Sequence, residues 1–254
     1  MFDYFLTLIV FLPALTAVIL LFFKSKNKII NISIFSSIIT FIMSAYLFIT
    51  YDKNLGGIQF VDHFAWISTI NIKSSYILGI DGLSAPLVLL TGLLSMVAII
   101  SSFRIKKRVK EYFIWLLLLE TSVLGVFTSL DLLLFFIFFE FELIPMYMLI
   151  GIWGSGRKEY SAIKFVIFTL AGGAFMLLAI LALFASDSIS SLSMVSIPDL
   201  NIIGIPDLIS GKNLIVPASI IFFFFFWSHY GAYPVMRGAG ARRLQDFIGI
   251  TMNN

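Results

Sequence analysis

The sequence predicts an all-α protein, a polytopic membrane helix bundle with about seven transmembrane helices. Three observations carry that prediction. Of 254 residues, 60% are hydrophobic and 12% charged, and the mean hydropathy is +1.03. Soluble domains carry about 25% charged residues, so this chain has too little polar surface to cover a globule in water. The apolar residues gather in seven blocks, each near the roughly 20 residues that a helix needs to cross a bilayer. Basic and acidic connections alternate between those blocks.

The blocks are Tyr4–Phe23, Ile29–Thr50, Ser84–Phe103, Tyr112–Ser129, Leu132–Trp153, Ala162–Ala185 and Asn213–Trp227. The first lacks the basic leader of a signal peptide and has further spans behind it, so it reads as a first helix. Lys24, Lys26 and Lys28 follow it. Arg104, Lys106, Lys107, Arg108 and Lys110 follow the third block, Arg157 and Lys158 the fifth, and Arg237, Arg242 and Arg243 the seventh. The alternate connections hold Asp52, Asp62, Asp81, Asp131, Asp187, Asp199 and Asp207 against Lys53, Lys73 and Lys212. The positive-inside rule then puts the N-terminus outside, and an odd number of spans puts the C-terminus inside. The long outer connections Tyr51–Ile80 and Ser186–Lys212 alternate apolar and polar residues, as surface hairpins or interfacial helices do. The seventh block, of about 15 apolar-leaning residues, is short for a span.

Several chemistries are disfavoured at this stage. There is no cysteine, which removes disulfides, Cys-ligated zinc and iron–sulfur clusters from this chain. The two histidines, His63 and His229, are too few and too scattered for a metal site. No glycine-rich phosphate loop or dinucleotide fingerprint occurs. No cofactor and no metal are expected in the chain, and no nucleic acid among its partners.

The charges inside the blocks are the candidates for function. Glu140 lies eight residues beyond Leu132, about 12 Å into a hydrocarbon core about 30 Å thick. A charge there costs between about 2.5 and well over 10 kcal/mol. Glu142 lies two residues on, about 200° around the helix, so the two carboxylates face different neighbours. Pro145 removes a backbone hydrogen bond close by. Glu120 is a third deep acid, beside Thr121 and Ser122, and Lys164 sits near the basic side of the sixth block. The bland reading makes Lys164 a snorkelling anchor and lets Glu120 and Glu142 bond a polar group on a partner helix. The functional reading is a proton path, because an intramembrane carboxyl group can take up and release protons.

The run DLLLFFIFFEFELIPMYMLIGIWGSGRKEYSAIKFVIFTLAGGAFMLLAILAL, Asp131–Leu183, resembles the antiporter-like subunit M/4 of NADH:quinone oxidoreductase, respiratory complex I. That family places an acid before Leu-Ile/Val-Pro-Met, then a Gly-x-Trp-Gly turn, then Ala-x-x-Lys-Phe. The acid-x-acid-Leu-Ile-Pro form of Glu140 to Pro145 is similar to the plastid-type branch of the family, found in the cyanobacterial and plastid complex. GIDGLSAPLVLLTGLL from Gly79 and LLLLE…GVFTSLDLLLFF also look like this family. The resemblance implies a proton-translocating module with no redox chemistry of its own, in which Glu140 pairs with a lysine of the seventh helix. It implies that Lys164 tunes a half-channel, while Glu142 matches only the plastid-type pattern and Glu120 is a candidate from its depth in the span. NAD, FMN, quinone and iron–sulfur clusters are then expected in partner subunits, and the other membrane subunits and lipid are the expected partners. The membrane would be a bacterial inner membrane or an organelle inner or thylakoid membrane. The rival reading is a subunit of a multi-component cation/proton antiporter.

Four regions follow from this. Residues 1–76 hold two helices and an outer loop, 77–185 the antiporter-like core, 186–227 an outer loop and short helix, and 228–254 a polar tail. The tail, SHYGAYPVMRGAGARRLQDFIGITMNN, departs from the family's Lys-x-Pro-x-x-Pro-x-His seventh helix. Read one base out of register, codons for Ala241–Gln245 can give Pro-Gly-Ala-Tyr-Lys, close to the family's sequence there. The expectation is therefore a frameshift near Trp227 and a truncated or inactive fragment, against a natural short form.

Overall fold

The computed structural model describes residues 4–55, 57–68, 73–185 and 193–194. In chain order the elements are α1 (Phe5–Leu20), α2 (Lys26–Thr50), β1 (Gln59–Ser68), β2 (Lys73–Ile80), α3 (Ser84–Ser101), α4 (Val109–Thr128), α5 (Leu132–Trp153) and α6 (Lys158–Ala185). A single 3₁₀ turn, Ser102–Arg104, ends α3. Five of the helices are long and apolar enough to cross a membrane, and α1, with 16 residues, is a shorter apolar one. The expected seventh helix, Asn213–Trp227, and nearly all of the loop before it lie outside the described residues. α2 and α6 begin three and four residues before their apolar blocks, at Lys26 and Lys158. Charged residues at the basic interface join the first helical turn without entering the hydrocarbon.

The connection between α2 and α3 is a hairpin: β1 pairs antiparallel with β2 from Gln59↔Ile80 to Ser68↔Lys73. It ties the helix ends at its own side. Leu130 N–H donates to Ile77 O at 2.9 Å, and Met194 N–H to Leu130 O at 2.7 Å. At the opposite end the basic connections meet. Lys110 Nζ donates to Leu21 O, and Trp153 Nε1 donates to Lys107 O at 2.8 Å. The connections carrying Lys24–Lys28, Arg104–Lys110 and Arg157–Lys158 therefore share one end of the bundle.

Each odd-numbered helix in this region starts at the hairpin end, and an aspartate receives its first N–H groups. Asp62, on β1, accepts from Thr7 N and Thr7 Oγ1 of α1, both at 2.7 Å. Asp81 accepts from Leu83 N and Ser84 N of α3 at 3.0 and 2.7 Å, and the hydrogen bonds from Ser84 and Leu83 hold its carboxyl below the usual range. Asp131 accepts from Leu133 N and Leu134 N of α5 at 3.0 and 3.2 Å. It also accepts from Ser74 Oγ at 2.9 Å and Ser75 N at 3.4 Å on β2. Burial nonetheless holds Asp131 above the ordinary carboxylate range. These side chains satisfy helix N–H groups that have no intrahelical partner, and their charge complements the positive end of each helix dipole. The acidic character of this end thus has a structural cause.

Among the described residues the core of α1–α5 holds two large apolar clusters, apart from a smaller one between α5 and α6. One, toward the hairpin, joins Leu6, Val10, Leu47, Val88, Leu124 and Phe138 among others. The other, toward the basic end, joins Ala17, Leu20, Ile29, Ile99, Phe113 and Leu117. On α4 the buried side chains Phe113, Leu117, Glu120, Leu124 and Thr128 recur at three and four residues, a single helical face.

Asp131 joins a helix start to a strand, so Asp131→Ala should cost about 1–3 kcal/mol, the range for a lost cap combined with an orphaned buried donor. The exposed Asp52→Ala should cost far less. Denaturation of both variants in detergent micelles measures the difference, and equal losses would show that the buried aspartate is not the tie.

Candidate functional site

The site centres on α5, whose packed faces are set by glycines on its neighbours. A Cβ on Gly125 of α4 would overlap the Phe138 ring, so α4 and α5 approach at Gly125 because no side chain intervenes. On the other side, a Cβ on Gly173 of α6 would overlap Glu140 Oε1. Glu140 is thereby placed against the α6 backbone at Gly173, with Met176 and Ile180 packed on Leu132, Leu133, Phe135, Phe136 and Phe139 toward the hairpin end. Among the described residues its buried Oε1 has no hydrogen-bond partner.

Glu142 takes another direction. It lies four residues past Phe138 and three before Pro145, about 40° and 60° away around α5, on the side that meets α4. α5 stays helical through Pro145, so the 200° separation of Glu140 and Glu142 is kept. Pro145 has no N–H, which leaves the Phe141 carbonyl, between the two acids, without its helix donor.

Glu120 is 2% exposed, and among the described residues neither of its oxygens has a partner; Thr121 Oγ1 beside it is likewise buried and unpartnered there. Glu120 lies five residues, about 140° around the helix, from the Gly125 side of α4 that meets α5. It shares instead the face of Phe113 and Leu117, which pack against α1, α2 and α3. The structure therefore separates Glu120 from the α5–α6 face.

Lys164 is separated too. It is nine residues before Gly173 on α6, which is about 13.5 Å along the axis and half a turn away. Its Nζ lies 5.9 Å from the Tyr160 ring centroid. Among the described residues the ion pair is Arg108–Glu111 at 2.6 Å, at the basic end, and no group of three metal-ligating side chains forms. Glu140 and Glu142 on α5 are thus neighbours in sequence with separate surroundings, while Glu120 and Lys164 stand on other faces.

Sequence reading did not single out Gly173, although a Gly-Gly pair in the middle of an apolar span is the available signal for close helix approach. It also counted Asp131 only as an outer-loop acid. The available signal was its position immediately before an apolar run.

Helices of this length and apolarity define an integral multi-pass membrane helix bundle, here with buried carboxyl groups in its middle turns. The family model described as "NADH:quinone oxidoreductase/Mrp antiporter, TM" matches residues 129–235. NADH-quinone oxidoreductase subunit M of Rickettsia conorii is 38% identical over 184 residues, covering 69% of this chain and 37% of that protein. NAD(P)H-quinone oxidoreductase chain 4 1 of Synechococcus elongatus is 39% identical over 189 residues, covering 73% and 35%. Among solved structures, a chain of respiratory complex I from Thermus thermophilus with bound NADH superposes with TM-score 0.72 at 26% identity, covering 89% of this chain and 43% of that one. A chain of the archaeal membrane-bound sulfane sulfur reductase shares the fold, with TM-score 0.69 at 18% identity. The chain is thus similar, over residues 129–235, to the NADH:quinone oxidoreductase/Mrp antiporter transmembrane family, and more widely to subunit M/chain 4 proteins. It spans between a third and two fifths of the length of these two curated relatives.

Because Phe138 occupies the space a Gly125 side chain would need, Gly125→Ala should destabilise the bundle by about 1–3 kcal/mol, the usual penalty for overpacking. Gly151→Ala meets only the Ala162 Cβ at 3.7 Å, an ordinary contact, and should be neutral or mildly stabilising. Thermal unfolding of the two variants distinguishes them; equal midpoints would contradict the packing of α4 on α5.

Proposed function

We propose that this chain supplies part of the proton-translocating membrane subunit of a complex I-type quinone oxidoreductase, with Glu140 as its central proton-binding group. The observation that carries this reading is the carboxyl group of Glu140. It sits in the middle of α5, turned to the bare backbone of α6 at Gly173, with Oε1 buried and unpartnered. Among the described residues nothing pairs with this deep carboxylate to repay its desolvation, which supports proton exchange as its role. Relatives named as subunit M or chain 4 of quinone oxidoreductases support that class over a separate cation/proton antiporter.

In this reading protons reach Glu140 from the basic end of the bundle. Lys164 stands between that end and Glu140 along α6, on the opposite face, where its charge biases the field along the entry route without pairing with the acid. Glu142 is a secondary group on the α4 side. The chain performs no redox step. NAD, FMN, quinone and iron–sulfur clusters belong to partner subunits, and the other membrane subunits of the assembly and lipid are its partners. The basic end faces the inside of the membrane and the hairpin the outside, which places the N-terminus outside. Cysteine labelling at Asn54 and Lys107 reads that orientation.

In the full-length subunit within its complex, Glu140→Gln should remove most proton uptake into membrane vesicles, and Glu142→Gln should remove less. The motive is that Glu140 alone faces α6. The opposite order in a pH-indicator assay would assign the role to Glu142.

A further inference from the structure

Between the two apolar clusters the buried side chains of α1–α4 change character. On α2 every buried position between Ile29 and Leu47 carries a hydroxyl: Ser33, Ser36, Ser37, Thr40 and Ser44. On α1 the buried positions between Val10 and Ala17 are Pro13 and Thr16, and on α3 those between Val88 and Ile99 are Thr91 and Gly92. On α4, Glu120, Thr121 and Ser122 fill the interval between Leu117 and Leu124. A polar layer thus crosses the bundle at mid-depth, and Glu120 is its one carboxyl group.

The depth of Glu120 within that layer follows from the helix geometry. α2 and α4 both run from the basic end toward the hairpin, and Ile29 and Phe113 share one cluster. Seven residues further, about 10.5 Å, brings Ser36 on α2 and Glu120 on α4 to the same level.

The layer is rich in acceptors and poor in donors. Ser33, Ser37, Thr40 and Ser44 each donate to a carbonyl of their own helix at 2.8–3.1 Å. Thr91 and Ser122 do the same at 2.8 Å. Thr16 donates to Leu12 O at 2.9 Å, so in its 2.8 Å contact with Ser36 the proton comes from Ser36. Pro13 leaves the Ile9 carbonyl without its helix donor, adding another acceptor. Among these hydroxyls only that of Thr121 is uncommitted. An ionised Glu120 would need donors for two oxygens and would find at most one. A neutral carboxyl group would instead donate its own O–H to an oxygen that still has a lone pair, and one donor suffices for its carbonyl.

Other charges do not alter this balance. α1 and α3 contain no titratable residue, and on α2 the ionisable residues are Lys26, Lys28 and Tyr46, away from this depth. On α4 the others are Lys110, Glu111 and Tyr112 at the basic end. The α5 acids Glu140 and Glu142 lie beyond the opposite side of α4, where Gly125 meets Phe138.

We propose that Glu120 is a second proton-binding site of this bundle, a carboxylic acid held in the polar layer between α1, α2 and α4 at the depth of Ser36. It is distinct from the Glu140 site on α5–α6. The proposal rests on the membrane reading of the bundle and not on transport through Glu140, so either can fail alone.

Infrared spectroscopy of the protein in lipid nanodiscs at neutral pH tests it through the carbonyl stretch of protonated carboxyl groups. The expected spectrum contains an acid band that survives in Glu140→Gln and in Glu142→Gln and disappears in Glu120→Gln. Ser36→Ala should move that band without abolishing it, because it removes a hydroxyl from the polar layer at the depth of the acid. A Glu120→Gln spectrum that superimposes on the unsubstituted protein would overturn the assignment. Should Glu120→Gln not fold, Ser36→Ala decides: a band that does not move in that variant overturns the proposal equally.

Discussion

With no exposed surface of its own, Asp131 receives hydrogen bonds from the first turn of α5 and from β2 together, and the depth of every side chain on α5 follows from that double hold. Helices in a bilayer are otherwise free to slide by a turn, because lipid is as apolar as their own side chains and supplies no register. A polar fixture at the membrane surface removes that freedom. Glu140 lies nine residues beyond Asp131, about 13.5 Å down the helix axis, and this is what brings it level with Gly173. The hairpin therefore contributes to the interior site from one end of the bundle. Asp62 does the equivalent for α1, and beside it the Tyr76 hydroxyl, its own ionisation pushed up to about 12 by burial, donates to Thr7 Oγ1 at 3.2 Å.

Inside the bundle, glycine decides which face a carboxyl group can use. α5 is apolar on almost every side, so periodicity gives it no preferred orientation. The contact of Phe138 with Gly125 on one side and of Glu140 with Gly173 on the other sets its rotation. Once that rotation is set, Glu140 and Glu142 are committed to different neighbours. Glu120 belongs to a separate compartment behind α4, bounded by hydroxyls whose protons already serve the backbone. Three acids at comparable depth thus have three different surroundings, and the differences come from packing and hydrogen-bond supply, since the three acids lie in similarly apolar stretches of sequence.

Much of this was legible in the residues. The block Leu132–Trp153 coincides with α5 because a long apolar run between Asp131 and Gly154 has unambiguous ends, and the alternation of basic and acidic connections matches the two ends of the bundle. Glu140 stood out because its cost in hydrocarbon is a property of residue type and depth alone. The polar layer was not legible, since serines and threonines of α2 are dispersed among isoleucines and raise no alarm until four helices are superposed. The rotation of α5 was equally hidden, being set by glycines on α4 and α6. The separation of Lys164 from Glu140 by half a turn needed the position of Gly173 as its reference.

The proposed role of Glu140 depends on the room that α6 leaves for its carboxyl group at Gly173. The most direct measurement is proton uptake by the full-length subunit in its complex after Gly173→Ala, with Gly172→Ala as the control. A methyl group at Gly173 takes the place of Glu140 Oε1, and the flexible side chain can swing aside, so the bundle should still assemble. The account predicts that Gly173→Ala assembles normally but loses most of its proton uptake, while Gly172→Ala keeps it. Normal uptake in a correctly assembled Gly173→Ala complex would contradict the account, because it would show that the position of the carboxyl group against α6 is immaterial.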